Sequence, residues 1–122
     1  MTHIGFYLSG VIAAAIIFIG CRFIFAPSVA AAGYGVSAAD PRAYLFAKGT
    51  RDIASGLFTA MLIANGAAHT LGWFMLIATL IPLSDALIVL HHGGSRTIAF
   101  GIHGATAVAM LIISGLLLIG SA

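Results

Sequence analysis

Charge is what this sequence has least of. Only 7% of its 122 residues are charged, where an ordinary soluble domain carries about 25%. A soluble helical bundle needs a polar outer face on every helix, and the polar residues here are too few to make four. Cysteine is nearly absent as well: Cys21 stands alone, which excludes an intrachain disulfide and leaves the redox compartment open. The basic residues are scattered and form no run. The net charge of +2 is therefore not the signature of a nucleic-acid binder, and nucleic acid is not expected as a partner. No glycine-rich phosphate loop, nucleophile elbow or zinc-protease motif occurs, so neither a cofactor nor a metal site is expected.

What is present is apolar length. The chain is 61% hydrophobic, with a mean hydropathy of +1.16. Four apolar segments each approach the roughly 20 residues that a bilayer-crossing helix needs. The first runs from about Ile4 to Ala26, and Pro27 ends it. The second begins at Pro41, with Asp40 as N-cap, and runs to Ala64, where Asn65-Gly66 closes it. The third runs from Leu71 to His91 and is closed by Gly93-Gly94. The fourth runs from Thr97 to Ile119, capped by Ser95. The first segment reads as a retained helix rather than a signal peptide, because it is long, contains Arg22 near its end and has no lysine or arginine before it. The stretch from Ser28 to Ala39, with Tyr34 between Gly33 and Gly35, reads as a short interfacial segment, a re-entrant loop or an ordinary surface loop; tyrosine suits the headgroup level. The expected fold is all-α: one domain over 1–122, a four-transmembrane-helix bundle running up-down-up-down.

In that arrangement all five basic residues (Arg22, Arg42, Lys48, Arg51 and Arg96) share one side. The positive-inside rule makes that side cytoplasmic, in the cell's inner (plasma) membrane, with both termini outside. Ionisable groups gather in the same half. On the second helix Lys48, Asp52, Ser55 and Thr59 recur at helical spacing, and Lys48 and Asp52 are placed to pair. Asp52 lies about 16 Å into that helix at about 1.5 Å per residue, so it needs a partner. On the third helix Pro82 frees the carbonyl near Ala78 and permits a kink, and Asp85 follows, with His92 on its face. On the fourth, His103, Thr106, Met110 and Ser114 form a stripe. Small residues, namely Gly5, Ser9 and Ala13, then Gly49, Gly56 and Ala60, then Gly101 and Ala105, provide faces for close helix packing.

Each of these residues has a plain structural reading. Arg22 and Lys48 snorkel to headgroups. Arg51, Asp52 and Asp85 are interhelical ion pairs, Asp85 bridging to Arg22 or Arg51. His103 is a hydrogen-bonded packing residue, and Ser55 and Thr106 bond to carbonyls of their own helices. His91 and His92 match no metal-binding spacing, and His3 and His69 belong to the opposite face. The functional reading makes Asp52, Asp85 and His103 acid–base groups and Arg22, Lys48, Arg51, Ser55 and Thr106 ligand-binding groups in a cytoplasm-facing pocket. Two carboxylates and an imidazole withdrawn from water suit proton transfer. If Arg22 joins the cluster, cations outnumber acids and the guest is anionic, a lipid phosphate or a carboxylate.

The run Lys48-Gly-Thr-Arg51-Asp52-Ile-Ala-Ser-Gly56, the stretches Pro82-Leu-Ser-Asp85-Ala-Leu-Ile and Gly101-Ile-His103-Gly-Ala-Thr106, and the Arg22-Phe and Ala26-Pro27 region are read together. In combination they resemble a family of small four-helix membrane proteins catalogued as a domain of unknown function. The resemblance implies the bundle and transfers no activity. Three functions follow as expectations. The first is a pocket that binds, and transforms by acid–base chemistry, a small amphipathic or lipid-soluble molecule. The second is a proton-coupled transporter working as a homo-oligomer. The third is a structural or accessory subunit whose charges set helix register. Membrane lipid and a small amphipathic ligand are the expected partners.

Overall fold

The computed structural model describes residues 1–34 and 42–122, and the described part is helical throughout. Helix α1 (Thr2–Phe25) stops just before Ala26-Pro27, and a second, eight-residue helix α2 (Pro27–Tyr34) starts at the proline itself. Proline has no N–H to contribute to the end of α1, but at the first position of α2 that N–H has no helical partner to lose. The segment after Pro27, open between loop and re-entrant readings, is thus a short helix as far as Tyr34. Helix α3 (Arg42–Ala64) follows; the expected Asp40 cap and Pro41 start lie outside the described residues.

Helices α4 (Ala68–Ala78) and α5 (Leu80–His91) form one interrupted rod. It begins three residues before the expected Leu71. The interruption at Thr79 follows from Pro82, which cannot donate to the Ala78 carbonyl. Around it the ladder resumes from Leu83 N–H to the Thr79 carbonyl at 3.2 Å, and the buried Thr79 hydroxyl donates to the Met75 carbonyl at 2.8 Å. The last rod consists of α6 (Arg96–Ile98), a π-helical stretch (Ala99–Gly104) and α7 (Ala105–Gly120). Ser95 caps it by accepting from the Ile98 N–H at 3.4 Å. Gly66 and Gly93 close α3 and α5 at φ of +63° and +74°, the left-handed region where glycine carries no Cβ penalty. In both turns the amide of the glycine and that of the next residue reach back to helix carbonyls, for example Ala67 N–H to Leu62 O at 3.0 Å and Gly94 N–H to Val89 O at 2.7 Å.

Three stretches, Thr2–Phe25, Ala68–His91 and Arg96–Gly120, are long and apolar enough to cross a membrane, the composition of a membrane protein. Helix α3 is of similar length but carries Lys48, Arg51 and Asp52.

The helices meet where side chains are smallest. A Cβ at Gly20 would stand 2.6 Å from the Gly49 carbonyl oxygen, and a Cβ at Gly49 the same distance from that of Gly20. About two turns on, at about 3.6 residues per turn, Gly56 lies against Ile17 and the Ala13 carbonyl, so α1 and α3 pack antiparallel along their length. At the other end of α1, Gly5 lies under Leu117 of α7, and Gly72 of α4 under Leu117 and Leu118. The buried Ser114 hydroxyl fastens that contact by donating to the Gly72 carbonyl at 2.9 Å. Leu62, Leu71, Met75, Met110, Ile113 and Leu117 form the apolar core at this end. The expected small face at Gly101 and Ala105 packs against no helix among the described residues. Gly101 is exposed, and a Cβ there would meet nothing within 4 Å.

Candidate functional site

The small contacts at Gly20, Gly49 and Gly56 bring the end of α1 against the first half of α3, and α5 closes on the same end. Asp52 and Asp85 are thereby buried together, at 6% and 5% exposure. Lys48 Nζ lies 2.7 Å from Asp52 Oδ2 and 3.6 Å from Asp85 Oδ2. Arg51 Nη2 lies 3.3 Å from Asp52 Oδ1 and 3.5 Å from Asp85 Oδ2. Each carboxylate thus meets both cations, and the four formal charges cancel. The Lys48–Asp52 contact is the expected i,i+4 pair. The bridge to Asp85 ties α3 to α5.

Tyr34 completes the cluster, and sequence reasoning had placed it only at the headgroup level. Its hydroxyl donates to Asp85 Oδ1 at 3.0 Å. Burial, and then the adjacent Asp85 carboxylate, push the phenol above its ordinary range and keep it a donor. Phe23 and Tyr34 stand edge to face at 6.1 Å. Lys48 Nζ lies over both rings, at 4.8 and 5.1 Å from their centroids. The ammonium leaving water therefore meets two π faces as well as two carboxylates.

His103 comes from the π-helical stretch. A π turn carries one extra residue, an irregularity frequent at functional sites. Here Ala99 packs against Ala86 and Val89 of α5, while the His103 ring stands edge to face with Tyr34 at 4.9 Å. His103 Nε2 lies 3.2 Å from the Tyr34 carbonyl. A carbonyl only accepts, so Nε2 carries the proton, and in the neutral ring Nδ1 is left as a bare acceptor. Nδ1 has no hydrogen bond among the described residues, nor is it sealed off as an unpaired buried atom.

These groups line one cavity of about 300 Å³. Its wall holds Arg22, Tyr34, Lys48, Asp52, Ser55, Asp85, His103 and Thr106. Seven of the eight sequence-predicted site residues are among them; Arg51 lies behind the wall, half-exposed, bonding the carboxylates from outside. The rest of the lining is mostly apolar, with Ile12, Ile16, Phe74, Met75, Ile81 and Met110 prominent.

Of the expected contacts, some form and others do not. Asp85 pairs with Lys48 and Arg51; Arg22, exposed at the end of α1, makes no ion pair among the described residues. His92 does not join the site. It is exposed, and its Nδ1 donates to the Ile88 carbonyl of its own helix at 2.9 Å. The Thr106 hydroxyl donates to the Ile102 carbonyl at 2.7 Å, the plain reading for that residue. Ser114 leaves its stripe to bind Gly72. His69 lies with Trp73 and Ser121 near the far end of α7.

A family model described as a domain of unknown function (DUF4267) matches residues 13–117, and the chain belongs to that family. The match spans the site residues from Arg22 to Thr106. No curated protein and no solved structure matches the chain.

Proposed function

We propose that the chain is a multi-pass protein of the cell's inner (plasma) membrane whose cavity binds a small amphipathic molecule, with His103 as the proton-handling group. In this reading α1, α3, the α4–α5 rod and the α6–α7 rod all cross the bilayer, up-down-up-down, with the basic ends cytoplasmic and both termini on the other side. Charge alone sets α3 apart from the other three rods. Its 23 residues span about 34 Å at about 1.5 Å each. Its acid, Asp52, is neutralised by Lys48 and Arg51 and turned toward the cavity rather than toward lipid.

The observation that carries the proposal is the wall of the cavity: apolar over most of its area, polar on one side. That is the composition of a small-molecule site, and about 300 Å³ lies at the lower end of the usual range. Within it the roles divide. Asp52 and Asp85 accept from two cations and a phenol, so they act as a fixed electrostatic frame. His103 Nδ1 is the acceptor left over, facing a guest with a lone pair. The apolar core of Leu62, Leu71, Met75, Met110, Ile113 and Leu117 seals the side nearer the termini, which favours binding over passage across the membrane.

The test uses decanol as a probe, measured by equilibrium dialysis with the protein in phosphatidylcholine nanodiscs. Wild type should bind one equivalent saturably. Ala78→Phe with Thr106→Phe, which fills the cavity from two walls, should abolish that binding while the far-UV spectrum stays helical. Equal binding by wild type and the filled variant would refute the pocket.

A further inference from the structure

We infer that the guest of this cavity carries an anionic headgroup on a single alkyl tail, and that Arg22 is the residue that reads its charge. The inference rests on the pocket proposed above and names its ligand class.

The argument starts from charge accounting inside the wall. Asp52 and Asp85 are each within 3.6 Å of both Lys48 and Arg51, and Asp85 also accepts from Tyr34. Two anions and two cations cancel. A cationic guest would find no free carboxylate among the described residues; it would have to displace Lys48 or Arg51 from contacts already made. A neutral guest would gain nothing from the charge of Arg22, which has no partner on the wall among the described residues. That guanidinium lines the same cavity and is exposed. Among the described residues it makes neither an ion pair nor a side-chain hydrogen bond. A planar fork of five N–H donors bordering an apolar cavity matches a carboxylate or phosphate, which it binds through two parallel hydrogen bonds.

The tail follows from the rest of the lining. Ile16 and Ile12 lie about two and about three turns before Arg22 along α1 at about 3.6 residues per turn, and Phe74, Met75, Ile81 and Met110 line the same cavity from the other rods. A chain anchored at Arg22 therefore runs toward the apolar core. The volume of about 300 Å³ holds about ten atoms of water size at about 30 Å³ each. One tail of about that length fits, and a two-chain lipid does not fit whole. The headgroup chemistry is shared by a free single-chain acid and by an anionic lipid that inserts one chain, and the experiment separates them.

Decanoate, decanol and decyltrimethylammonium are compared by equilibrium dialysis against wild-type protein in phosphatidylcholine nanodiscs. Decanoate should bind about tenfold tighter than decanol, the size of one charge-assisted guanidinium contact, and decyltrimethylammonium weakest. Arg22→Gln should bring decanoate down to the affinity of decanol in the same variant; Arg22→Lys should restore part of the preference. Since Arg22 is exposed and unpaired among the described residues, these variants keep the fold. Native mass spectrometry from discs that also contain phosphatidylglycerol assigns the source. Retained phosphatidylglycerol that Arg22→Gln releases supports the inference with a lipid headgroup as occupant, and decanoate selectivity without retained lipid supports it with a free acid. Equal affinity for decanoate and decanol, or a preference that survives in Arg22→Gln, overturns the inference while the pocket stands. Failure of all three probes to bind removes the pocket, and this inference with it.

Discussion

Replacing glycine by alanine should have opposite signs at positions that look alike in sequence. At Gly49 the new Cβ would stand 2.6 Å from the Gly20 carbonyl oxygen, 3.0 Å from Ile24 Cγ1 and 3.1 Å from Phe23 Cβ. The nearest of these is backbone, and it cannot swing aside. Alanine gains about 1 kcal/mol of helix propensity over glycine, but overpacking a close contact costs about 1–3 kcal/mol, so Gly49→Ala should lose up to about 2 kcal/mol. At Gly115, in α7, a Cβ would meet nothing within 4 Å. Only the propensity gain remains, and Gly115→Ala should be more stable by about 0.5–1 kcal/mol. Gly10→Ala, whose Cβ would lie 3.9 Å from Ile63 Cδ1 in ordinary contact, belongs with Gly115. The assay is unfolding by sodium dodecyl sulfate titrated into mixed micelles, followed by far-UV circular dichroism. A Gly49→Ala protein stabilised as Gly115→Ala is expected to be would refute the α1–α3 contact. A Gly115→Ala protein destabilised as much as Gly49→Ala would show that burial of the glycine face is not what decides the sign.

Two further outcomes follow from buried polar groups, read by the same titration. Lys48→Met leaves Asp52 and Asp85 to share the half-exposed Arg51 and should cost about 3 kcal/mol; Lys48→Met with Asp52→Leu, which restores neutrality, should recover part of that loss, and a single variant as stable as wild type would mean that no charge is buried there. Ser9 is fully enclosed and its hydroxyl has no partner among the described residues, so Ser9→Ala should raise stability by up to about 1 kcal/mol; a clear loss would reveal a bond to that hydroxyl.

Local chemistry was readable from the sequence, and contacts between distant segments were not. Pro27, Gly66, Gly93 and Ser95 act within one or two turns of themselves, and the ends of α1, α3 and α5 and the start of α6 fall where those residues put them. The Lys48–Asp52 pair is equally local. Asp85 is a harder case: by depth along the helices Arg22 and Arg51 were equal candidates, and it pairs with Arg51 and also with Lys48. Tyr34 carried no signal at all. Its partner Asp85 is 51 residues away, and a lone tyrosine between glycines suits an interface as well as it suits a site. The π-helical stretch was likewise silent, because widening a turn needs no particular residue. Gly101 and Ala105 show the limit of the small-residue rule, since spacing marks which residues share a face and not whether another helix covers it.

The charge cluster is hard to explain as a device for stability. Burying ions in a protein interior carries a desolvation cost that mutual attraction only partly offsets, and well-packed apolar residues of similar volume are often as good or better. In lipid the balance tilts further, because helices already associate through small faces such as Gly20 against Gly49 without help from charge. Lys48, Asp52 and Asp85 nevertheless sit at the wall of a cavity whose other residues are mostly apolar. What four mutually neutralised charges and a phenol supply there is a rigid polar rim that needs no counter-ion from a guest. Such a rim positions His103 through the Tyr34 carbonyl and leaves Arg22 as the only uncompensated charge among the described cavity residues. If the cluster served helix register alone, Tyr34→Phe would change stability and nothing else. If it frames the proposed pocket, the same variant, by releasing α2 from Asp85, would also change the affinity for decanol, and that difference separates the two accounts.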